Sequence, residues 1–337
     1  MAGCDGVCVL IPTYNEAGTV GDVVDGFRAE GLENVLVVDG GSGDGTREIA
    51  RERGARVVRQ SGSGKGQAIR EALGLIDEPY VLMADGDATY RPEDAERLLE
   101  PLLAGEAEHV IGNRFADMES GAMTRLNRVG NRLINRAFRL VHGRGLGDIL
   151  SGYRAFTRSS VERFVLTSDG FGIETELSVE CVKHGVTTAV VPITYTARPD
   201  ESETNLRPFR DGAVILLTLY QMAKTNNPLF YFGSVGVVSV LAGLGVAGYV
   251  GFEWLVRDIS HEVLALVAGV SVLLGIQLLI FGVLSDLVVS VNREQSRQIE
   301  RLIEELRTQG SPDADEPAAT DGRGPGNTNS DETRPDG

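Results

Sequence analysis

The sequence has little lysine, cysteine or histidine, and each shortage excludes a class of protein. Only three of its 337 residues are lysine, and 48 acidic residues against 32 basic ones give a formal net charge of −16. A chain this negative repels polyanions, which excludes a nucleic-acid-binding protein. The three cysteines and four histidines show no disulfide or zinc spacing, which indicates a reducing compartment.

The excess of acidic residues also indicates the kind of environment in which the protein works. An acidic, lysine-poor surface stays hydrated and soluble in concentrated salt. The composition therefore predicts a protein of a halophilic archaeon. The alternative interpretation is an acidic protein from a genome rich in G and C.

Short apolar runs alternate with helix-like segments over the first third of the chain. The runs are Val7–Ile11, Val35–Val38, Arg56–Val58, Tyr80–Ala84 and His109–Gly112. Repeated β-then-α units predict an α/β fold, with a mostly parallel sheet covered by helices on both faces. Ligands bind beyond the carboxyl ends of such strands, so we expect the chemistry in the residues that follow each run.

Two long uncharged segments lie nearer the C-terminus, Leu229–Phe252 and Val263–Ser285. Each is long enough to cross a bilayer as a helix; a pair of buried core helices is the alternative. Basic residues flank the pair on both outer sides, whereas the link between them carries only Arg257. The positive-inside rule therefore predicts an integral protein of the cell membrane with its N-terminal domain and C-terminus in the cytoplasm.

These patterns predict six parts. They are an α/β domain (1–210), a juxtamembrane helical segment (211–228), transmembrane helices (229–252 and 263–286), an amphipathic helix (292–308) and a disordered acidic tail (309–337). The amphipathic helix could lie on the membrane or pair with a second copy of the chain, which would make a homo-oligomer. The tail is too polar to bury a core.

Four polar stretches follow the predicted strands. They are Pro12-Thr13-Tyr14-Asn15-Glu16, Asp39-Gly40-Gly41-Ser42-Gly43-Asp44-Gly45-Thr46, Ser61-Gly62-Ser63-Gly64-Lys65-Gly66 and Asp85-Gly86-Asp87. An acid such as Asp39 at a strand end can accept hydrogen bonds from a base or a ribose, although it could equally cap a helix. Lys65 is predicted to touch a phosphate from a mobile loop. A P-loop is excluded, because Arg59 and Gly66 stand where that motif needs glycine and serine or threonine.

Asp85 and Asp87 end a buried strand. Two charges there are costly unless something uses them. Hard oxygen ligands converging on one point suit Mg²⁺ or Mn²⁺ bridging a diphosphate. A turn with aspartate at both ends is the alternative.

Taken in order, the four stretches resemble those of the inverting family-two glycosyltransferases with the GT-A fold. The resemblance implies that the first two stretches hold the nucleotide of a nucleotide-sugar, and that Asp85 and Asp87 hold the metal. The nucleotide-sugar residues it implies are Pro12, Tyr14, Glu16, Asp39, Asp44, Lys65, Asp85 and Glu174.

Later stretches resemble the dolichyl-phosphate mannose and glucose synthases, most closely the archaeal glucose synthases. They are Gly112-Asn113-Arg114, Asp148-Ile149-Leu150-Ser151-Gly152-Tyr153-Arg154, Glu174-Thr175-Glu176 and residues 204–212. This resemblance implies transfer of a hexose, with UDP-glucose favoured and GDP-mannose the alternative, to dolichyl or polyprenyl phosphate for protein N-glycosylation. The chain departs from these relatives at Thr204-Asn205-Leu206, where they often have Ser-Lys-Leu, and at Thr89, where some have glutamine.

The resemblance also implies residue roles. The catalytic set is Asp87, Arg114, Asp148 and Arg154, and the acceptor-phosphate set is Arg114, Arg132, Ser151, Arg154 and Arg207. Arginine matches phosphate oxygens in pairs, which suits the second set. Asp148 and Glu174 are expected to orient sugar hydroxyls.

Six arginines and no acid lie between Glu119 and Asp148. They are Arg125, Arg128, Arg132, Arg136, Arg139 and Arg144, and the first five are spaced so that they share one helical face. A neighbouring stripe contains Leu126, Val129, Leu133, Ala137 and Val141. In an acidic chain, such a helix predicts contact with an anionic surface or a lipid phosphate. The alternative is a solvated face whose arginines pair with acids elsewhere.

Three other functions are disfavoured. A processive polysaccharide synthase would carry Gln-x-x-Arg-Trp, and the only tryptophan is Trp254, in a membrane flank. A non-catalytic nucleotide-sugar-binding scaffold would not need the acceptor arginines. A nicotinamide dehydrogenase would show Gly-x-Gly-x-x-Gly after the first strand.

Overall fold

The computed structural model describes residues 6–170, 172–199 and 227–309, together with Leu217 and Tyr220. The strands are β1 (Val7–Thr13), β2 (Val35–Asp39), β3 (Arg56–Arg59), β4 (Tyr80–Met83), β5 (His109–Met118), β6 (Arg154–Thr157) and β7 (Thr188–Tyr195). The helices are α1 (Val20–Ala29), α2 (Thr46–Glu52), α3 (Lys65–Leu73), α4 (Ala95–Leu103), α5 (Arg125–His142), α6 (Arg158–Val161), α7 (Ile173–Lys183), α8 (Pro228–Arg257) and α9 (Glu262–Gln309). Two compact units result, Met1–Val289 and Ser290–Gly337, and the second contains the end of α9.

The strands form one sheet in the order β3-β2-β1-β4-β6-β5-β7. Strand β6 runs antiparallel to both of its neighbours, and every other pairing is parallel. The predicted α/β fold is confirmed, and the five predicted strands are β1 to β5. Strands β6 and β7 had no clear signal, because β6 has only four residues and begins with an arginine, and β7 is half exposed and contains Pro192.

The sheet is covered on both faces. All residues of β1 and β2 are buried, as expected of parallel strands packed between helices. One apolar cluster includes Phe27 and Leu98, and another includes Ile69 and Leu177. A third cluster lies beneath α5, where Phe138 packs with Ile111 and Ile149.

Strand β5 is irregular near its middle. Its register against β7 shifts between Asn113 and Asp117, so that β5 contributes more residues than β7 does over this stretch. Irregular stretches of this kind re-aim side chains and are frequent beside binding sites. Arg114 lies within the shifted stretch.

Two helices are long and apolar enough to cross a membrane: an 18-residue stretch has a mean hydropathy of 2.0 within Pro228–Arg257 and of 2.6 within Glu262–Asn292. Helix α8 begins at its N-cap Asn227, whose side chain accepts a hydrogen bond from the backbone N–H of Phe230. The predicted amphipathic stretch 292–308 is continuous with the second apolar segment inside α9. Most of 211–228 and of 309–337 lies outside the described residues.

Helices α8 and α9 approach each other through small residues. A Cβ atom added at Gly236 would lie 2.7 Å from the carbonyl oxygen of Gly275, and one at Gly243 would lie 2.8 Å from that of Ala268. Between these points the Ser239 hydroxyl donates to the Ser271 carbonyl oxygen at 2.8 Å. Small residues allow this close backbone approach, which is the usual packing of membrane helices.

Candidate active site

The loops after β1 and β2 are joined by hydrogen bonds at the carboxyl edge of the sheet. The backbone N–H of Asn15 donates to Ser42 Oγ at 2.8 Å, and that of Glu16 donates to Thr46 Oγ1 at 2.9 Å. Asp44 Oδ2 accepts from the backbone N–H of the residue after Glu16 at 3.1 Å. The two stretches predicted to hold a nucleotide therefore form one structure, from which the half-exposed Tyr14 projects.

Asp39 is fully buried at the end of β2. Its Oδ2 accepts hydrogen bonds from the backbone N–H groups of Gly41 and Ser42 at 2.9 and 3.0 Å, and the Ser42 hydroxyl bonds its other oxygen. Arg47 Nε lies 3.6 Å from Oδ2. These contacts fix the turn that follows β2; Asp39 does not cap α2, whose N-cap is Gly45.

Lys65 bridges two acids that were predicted as site residues. Its Nζ lies 2.5 Å from Asp85 Oδ1 and 2.5 Å from Glu174 Oε1. Although burial lowers the pKa of this ammonium group, the two carboxylates outweigh burial and raise it above its ordinary value. The structure therefore brings together the ends of β4, α3 and α7 through one lysine.

The backbone N–H groups that follow Lys65 are bonded within the protein and do not form a phosphate-binding loop. The backbone N–H groups of Gly66 and Gln67 both donate to the carbonyl oxygen of Asp169, at 2.9 and 3.3 Å. A Cβ atom at Gly64 or Gly66 would collide with the 168–169 backbone. The Lys65 side chain reaches the acidic edge from this segment.

Asp87 is held from two sides. Its Oδ1 accepts from the backbone N–H and the hydroxyl of Thr89, at 3.1 and 2.6 Å. Its Oδ2 accepts from the Arg198 guanidinium, whose Nη1 lies 3.8 Å from Glu16 Oε1. Thr89, where the chain departs from its relatives, thus orients Asp87.

Acidic side chains outnumber basic ones at this edge among the described residues. Four carboxylates, on Glu16, Asp85, Asp87 and Glu174, meet two cations, on Lys65 and Arg198. Within the same residues, no three histidine, cysteine or acidic side chains stand close enough to hold an ion. The carboxylate oxygens are nevertheless the hard ligands that Mg²⁺ and Mn²⁺ prefer.

Arg114 and Asp148 form a buried ion pair. Arg114 Nε and Nη2 donate to the two Asp148 oxygens at 2.7 and 2.9 Å. The guanidinium also lies 5.4 Å from the centre of the Tyr195 ring. Since Asp148 is fully buried, its carboxylate positions Arg114 and does not face an open sugar site.

Two of the predicted acceptor-phosphate residues, Arg154 and Ser151, lie inside the domain. Both are fully buried. Arg154 donates to the carbonyl oxygens of Ser151 and Ile149 at 2.8 and 2.7 Å, and to Ser178 Oγ at 3.0 Å. Arg154 begins β6, between β4 and β5, and its hydrogen bonds fix the 148–153 turn.

Arg132 lies on α5 beside a groove of about 830 Å³. The groove is lined by Asn113, Phe115, Arg132, Asn135, Arg136, Arg139, Leu140 and Gly147. Asn113 precedes Arg114 in the chain, which connects the groove to the buried ion pair. Arg207, the remaining acceptor residue, lies outside the described residues.

Sequence reasoning missed Arg198, Tyr90 and Tyr195. The Tyr90 hydroxyl accepts from the backbone N–H of Gly152 at 2.9 Å, and its ring packs against Tyr195. A Cβ atom at Gly152 would lie 2.6 Å from Asp85 Oδ2. The only available signal was position: Arg198 follows a strand, β7, that the sequence did not reveal.

Comparisons with known proteins agree with this geometry. The model of glycosyl transferase family 2 matches residues 8–165. The chain is 64% identical over 299 residues to glycosyltransferase AglJ of Haloferax volcanii, which covers 88% of this chain and 98% of the relative. A dolichyl-phosphate hexose transferase of the same organism is 34% identical over 213 residues, covering 63% and 91%.

A solved structure has the same fold. Glucosyl-3-phosphoglycerate synthase from Mycobacterium tuberculosis, in complex with Mn²⁺ and UDP-glucose, matches with a TM-score of 0.52 at 25% identity, over 63% of this chain and 78% of that one. The fold and the sequence relatives together identify the enzyme family. The chain belongs to glycosyl transferase family 2 and is a glycosyltransferase with the GT-A fold.

Proposed function

We propose that this glycosyltransferase moves a hexose from a nucleotide-sugar, with UDP-glucose favoured, to a dolichyl-type polyprenyl phosphate with inversion, and that the product serves protein N-glycosylation. The carrying observation is a continuous path of contacts between an acidic edge and a basic groove. Asp85 packs against Gly152, the same turn holds Asp148 against Arg114, and Asn113 beside it lines the arginine groove. The acidic edge, proposed to bind the donor through a metal ion, is thus adjacent to the basic groove, proposed to bind the acceptor phosphate.

The acidic edge is the proposed donor site. Asp85 and Asp87 would hold Mg²⁺ or Mn²⁺, which would neutralise charge on the departing nucleoside diphosphate. Lys65 and Arg198 form ion pairs with these carboxylates. When a metal ion binds there, the two cations would turn towards the diphosphate oxygens. Mn²⁺ and UDP-glucose in the solved relative support this assignment.

The basic groove is the proposed acceptor site. A polyprenyl phosphate is already an anion, so it needs no strong general base to attack the anomeric carbon. The protein's task is to hold two negatively charged reactants together in line. Arg132 and Arg136 supply paired donors for the phosphate.

Membrane attachment follows from the acceptor. We propose that α8 and α9 span the bilayer and that the catalytic domain lies on the cytoplasmic side. The apolar length of both helices supports the span, and the basic flanks support the orientation.

Transfer assays test the proposal. Purified full chain in concentrated salt and detergent receives a polyprenyl phosphate, Mg²⁺ or Mn²⁺, and radiolabelled UDP-glucose or GDP-mannose in separate tubes. We expect label from UDP-glucose to enter the organic phase and to be lost with EDTA. Asp87→Asn should abolish transfer, whereas the exposed control Asp22→Asn on α1 should retain it.

Other outcomes discriminate the alternatives. Label from GDP-mannose alone would identify a mannosyl donor. Donor binding without transfer to any polyprenyl phosphate would contradict the enzymatic proposal in favour of a scaffold.

A further inference from the structure

Helix α5 has an apolar stripe that its own protein leaves uncovered. Leu126, Val129, Leu133 and Leu140 are 52, 63, 57 and 70% exposed. At 100° per residue they fall within an arc of about 60°. The helix packs on the domain through a different face, with Ile134, Phe138 and Val141 buried. The predicted stripe is thus divided: Val141 belongs to the buried face, and the leucines face outward.

Arginines border the outward stripe. Arg125, Arg132, Arg136 and Arg139 are exposed on the same helix. Among the described residues, no ion pair joins any of them to an acid. This disfavours a face neutralised by the protein's own carboxylates. In a chain of net charge −16, these unneutralised arginines indicate an anionic partner.

The position of α5 identifies that partner. The Asn227 side-chain amide donates to the Val141 carbonyl oxygen, in the last turn of α5. Asn227 is also the N-cap of α8, where the first apolar span begins. One end of α5 is therefore fixed where the chain enters the bilayer. Its apolar stripe continues for most of its length of about 27 Å, which suits a helix that lies along the membrane surface.

We infer that α5 lies in the plane of the membrane, with its outward leucines and Val129 at the acyl boundary and its arginines among the phosphates of anionic lipids. An amphipathic helix with a basic border binds bilayers in this way. The inference rests on the part of the proposed function that places α8 and α9 in the membrane, and not on the donor sugar. The groove lined by Arg132, Arg136 and Arg139 would then open at lipid level, where an acceptor phosphate reaches it without leaving the bilayer.

Spin-label accessibility tests this inference in the full chain. A Cys4→Ser background carries one added cysteine, Val129→Cys or Leu133→Cys, or the control Leu103→Cys at an exposed leucine on α4. Native Cys8 and Cys181 stay unlabelled, because both are buried and burial raises the pKa of each thiol to about 12. Protein in nanodiscs containing phosphatidylglycerol is exposed to oxygen, which concentrates in lipid, and to a water-soluble nickel chelate.

We expect oxygen collisions to exceed nickel collisions several-fold at positions 129 and 133, and the reverse at position 103. Nickel-dominated collisions at all three positions would overturn the inference. Low accessibility to both reagents at 129 and 133 would also overturn it, because the stripe would then be covered by protein, either residues 200–226 or a second copy. Transfer activity is measured separately on each labelled protein, so failure of the donor proposal cannot mimic these results.

Lipid composition tests the role of the arginines. In nanodiscs of phosphatidylcholine alone we expect the oxygen-to-nickel ratio at position 133 to fall at least twofold. Arg125→Gln should produce part of the same fall in anionic nanodiscs. A ratio independent of lipid charge would contradict the anionic-lipid part of the inference.

Discussion

The Asp87 carboxylate is held in place by two neighbouring side chains. Thr89 fixes one carboxylate oxygen and Arg198 neutralises the other. Removing the hydroxyl leaves a buried carboxylate oxygen short of one donor, and a hydrogen bond to a charged group contributes about 1.5–3 kcal/mol. Thr89 is therefore a positioning residue for the proposed metal site.

We predict that Thr89→Val raises the Mn²⁺ concentration needed for half-maximal transfer about tenfold or more, the factor that about 1.4 kcal/mol produces. Metal titrations of initial rate would measure the change. Thr89→Ser keeps the hydroxyl and should stay near the wild-type value. An effect of serine as large as that of valine would contradict the hydrogen-bond explanation.

Gly152 is a second position at which we expect an added side chain to disturb the site. Its Cα faces Asp85, and an added Cβ would lie 2.6 Å from Oδ2, closer than real Cβ contacts. We predict that Gly152→Ala displaces Asp85 and reduces transfer about 100-fold, measured as kcat/KM for the donor, a loss of about 2.7 kcal/mol. Gly74→Ala, where the nearest atom would lie at an ordinary 3.5 Å, should have little effect.

The two arginines once grouped as acceptor residues should now separate in experiment. Arg154 is buried among carbonyl groups, so Arg154→Leu should lower the melting temperature by several degrees by leaving those groups unpaired. Arg132 is exposed beside the groove, so Arg132→Gln should raise the KM for polyprenyl phosphate about tenfold without lowering the melting temperature. Indistinguishable effects on stability and KM would contradict this division.

These residues show what a sequence can and cannot reveal. Asp85, Asp87 and Lys65 were predicted because short motifs follow recognisable buried strands. The burial of Arg154 could not be predicted, because the four-residue strand that it begins has no clear sequence signal. Arg198 escaped notice because it belongs to no motif and meets Asp87 only through the fold.

At the scale of elements, the positions of the strands and apolar helices can be predicted, but not the faces through which the helices pack. Strands β1 to β5 were predictable from short apolar runs between helix-like segments, and the two apolar helices from long uncharged runs. The partner faces of α8 and α9 were not, because glycines occur on packed and unpacked sides alike. A Cβ at Gly275 would lie 2.6 Å from the Gly236 carbonyl oxygen, whereas one at Gly269 would meet nothing within 4 Å.

That contrast gives a matched pair of variants. We predict that Gly275→Leu separates α8 from α9 and lowers the temperature at which the detergent-solubilised protein loses its monodisperse elution peak by about 5 °C or more. Gly269→Leu adds the same side chain on the same helix and should leave that temperature within about 2 °C, since a surface change away from packed features typically costs at most about 0.5 kcal/mol. Equal losses for both would indicate that α9 tolerates no large residue at all, which would contradict the assigned contact.

At the scale of the whole molecule, charge dominates. A formal net charge of −16 destabilises a compact state through self-repulsion, and salt shortens the range of that repulsion. The Debye length falls from about 10 Å at 0.1 M salt to about 3 Å at 1 M.

We therefore predict that the melting temperature rises by about 10 °C or more between 0.1 and 2 M KCl. A large share of that gain should already be present at 1 M, where the Debye length is about 3 Å. Thermal melts followed by circular dichroism would show it. Sucrose at matched osmolarity controls for solvent exclusion, and an equal rise in sucrose would exclude charge screening as the cause.

The antiparallel direction of β6 has a consequence for how such an enzyme can diversify. Because β5 leaves the sheet at its carboxyl edge and β6 enters at that same edge, the excursion between them, residues 119–153 with α5 inside, starts and returns at one place. Up to the fixed turn 148–153, its length and sequence can change without shifting the register of any other strand. The proposed donor and acceptor parts can therefore vary independently, and a transplanted α5 segment could redirect the same donor chemistry to a new acceptor.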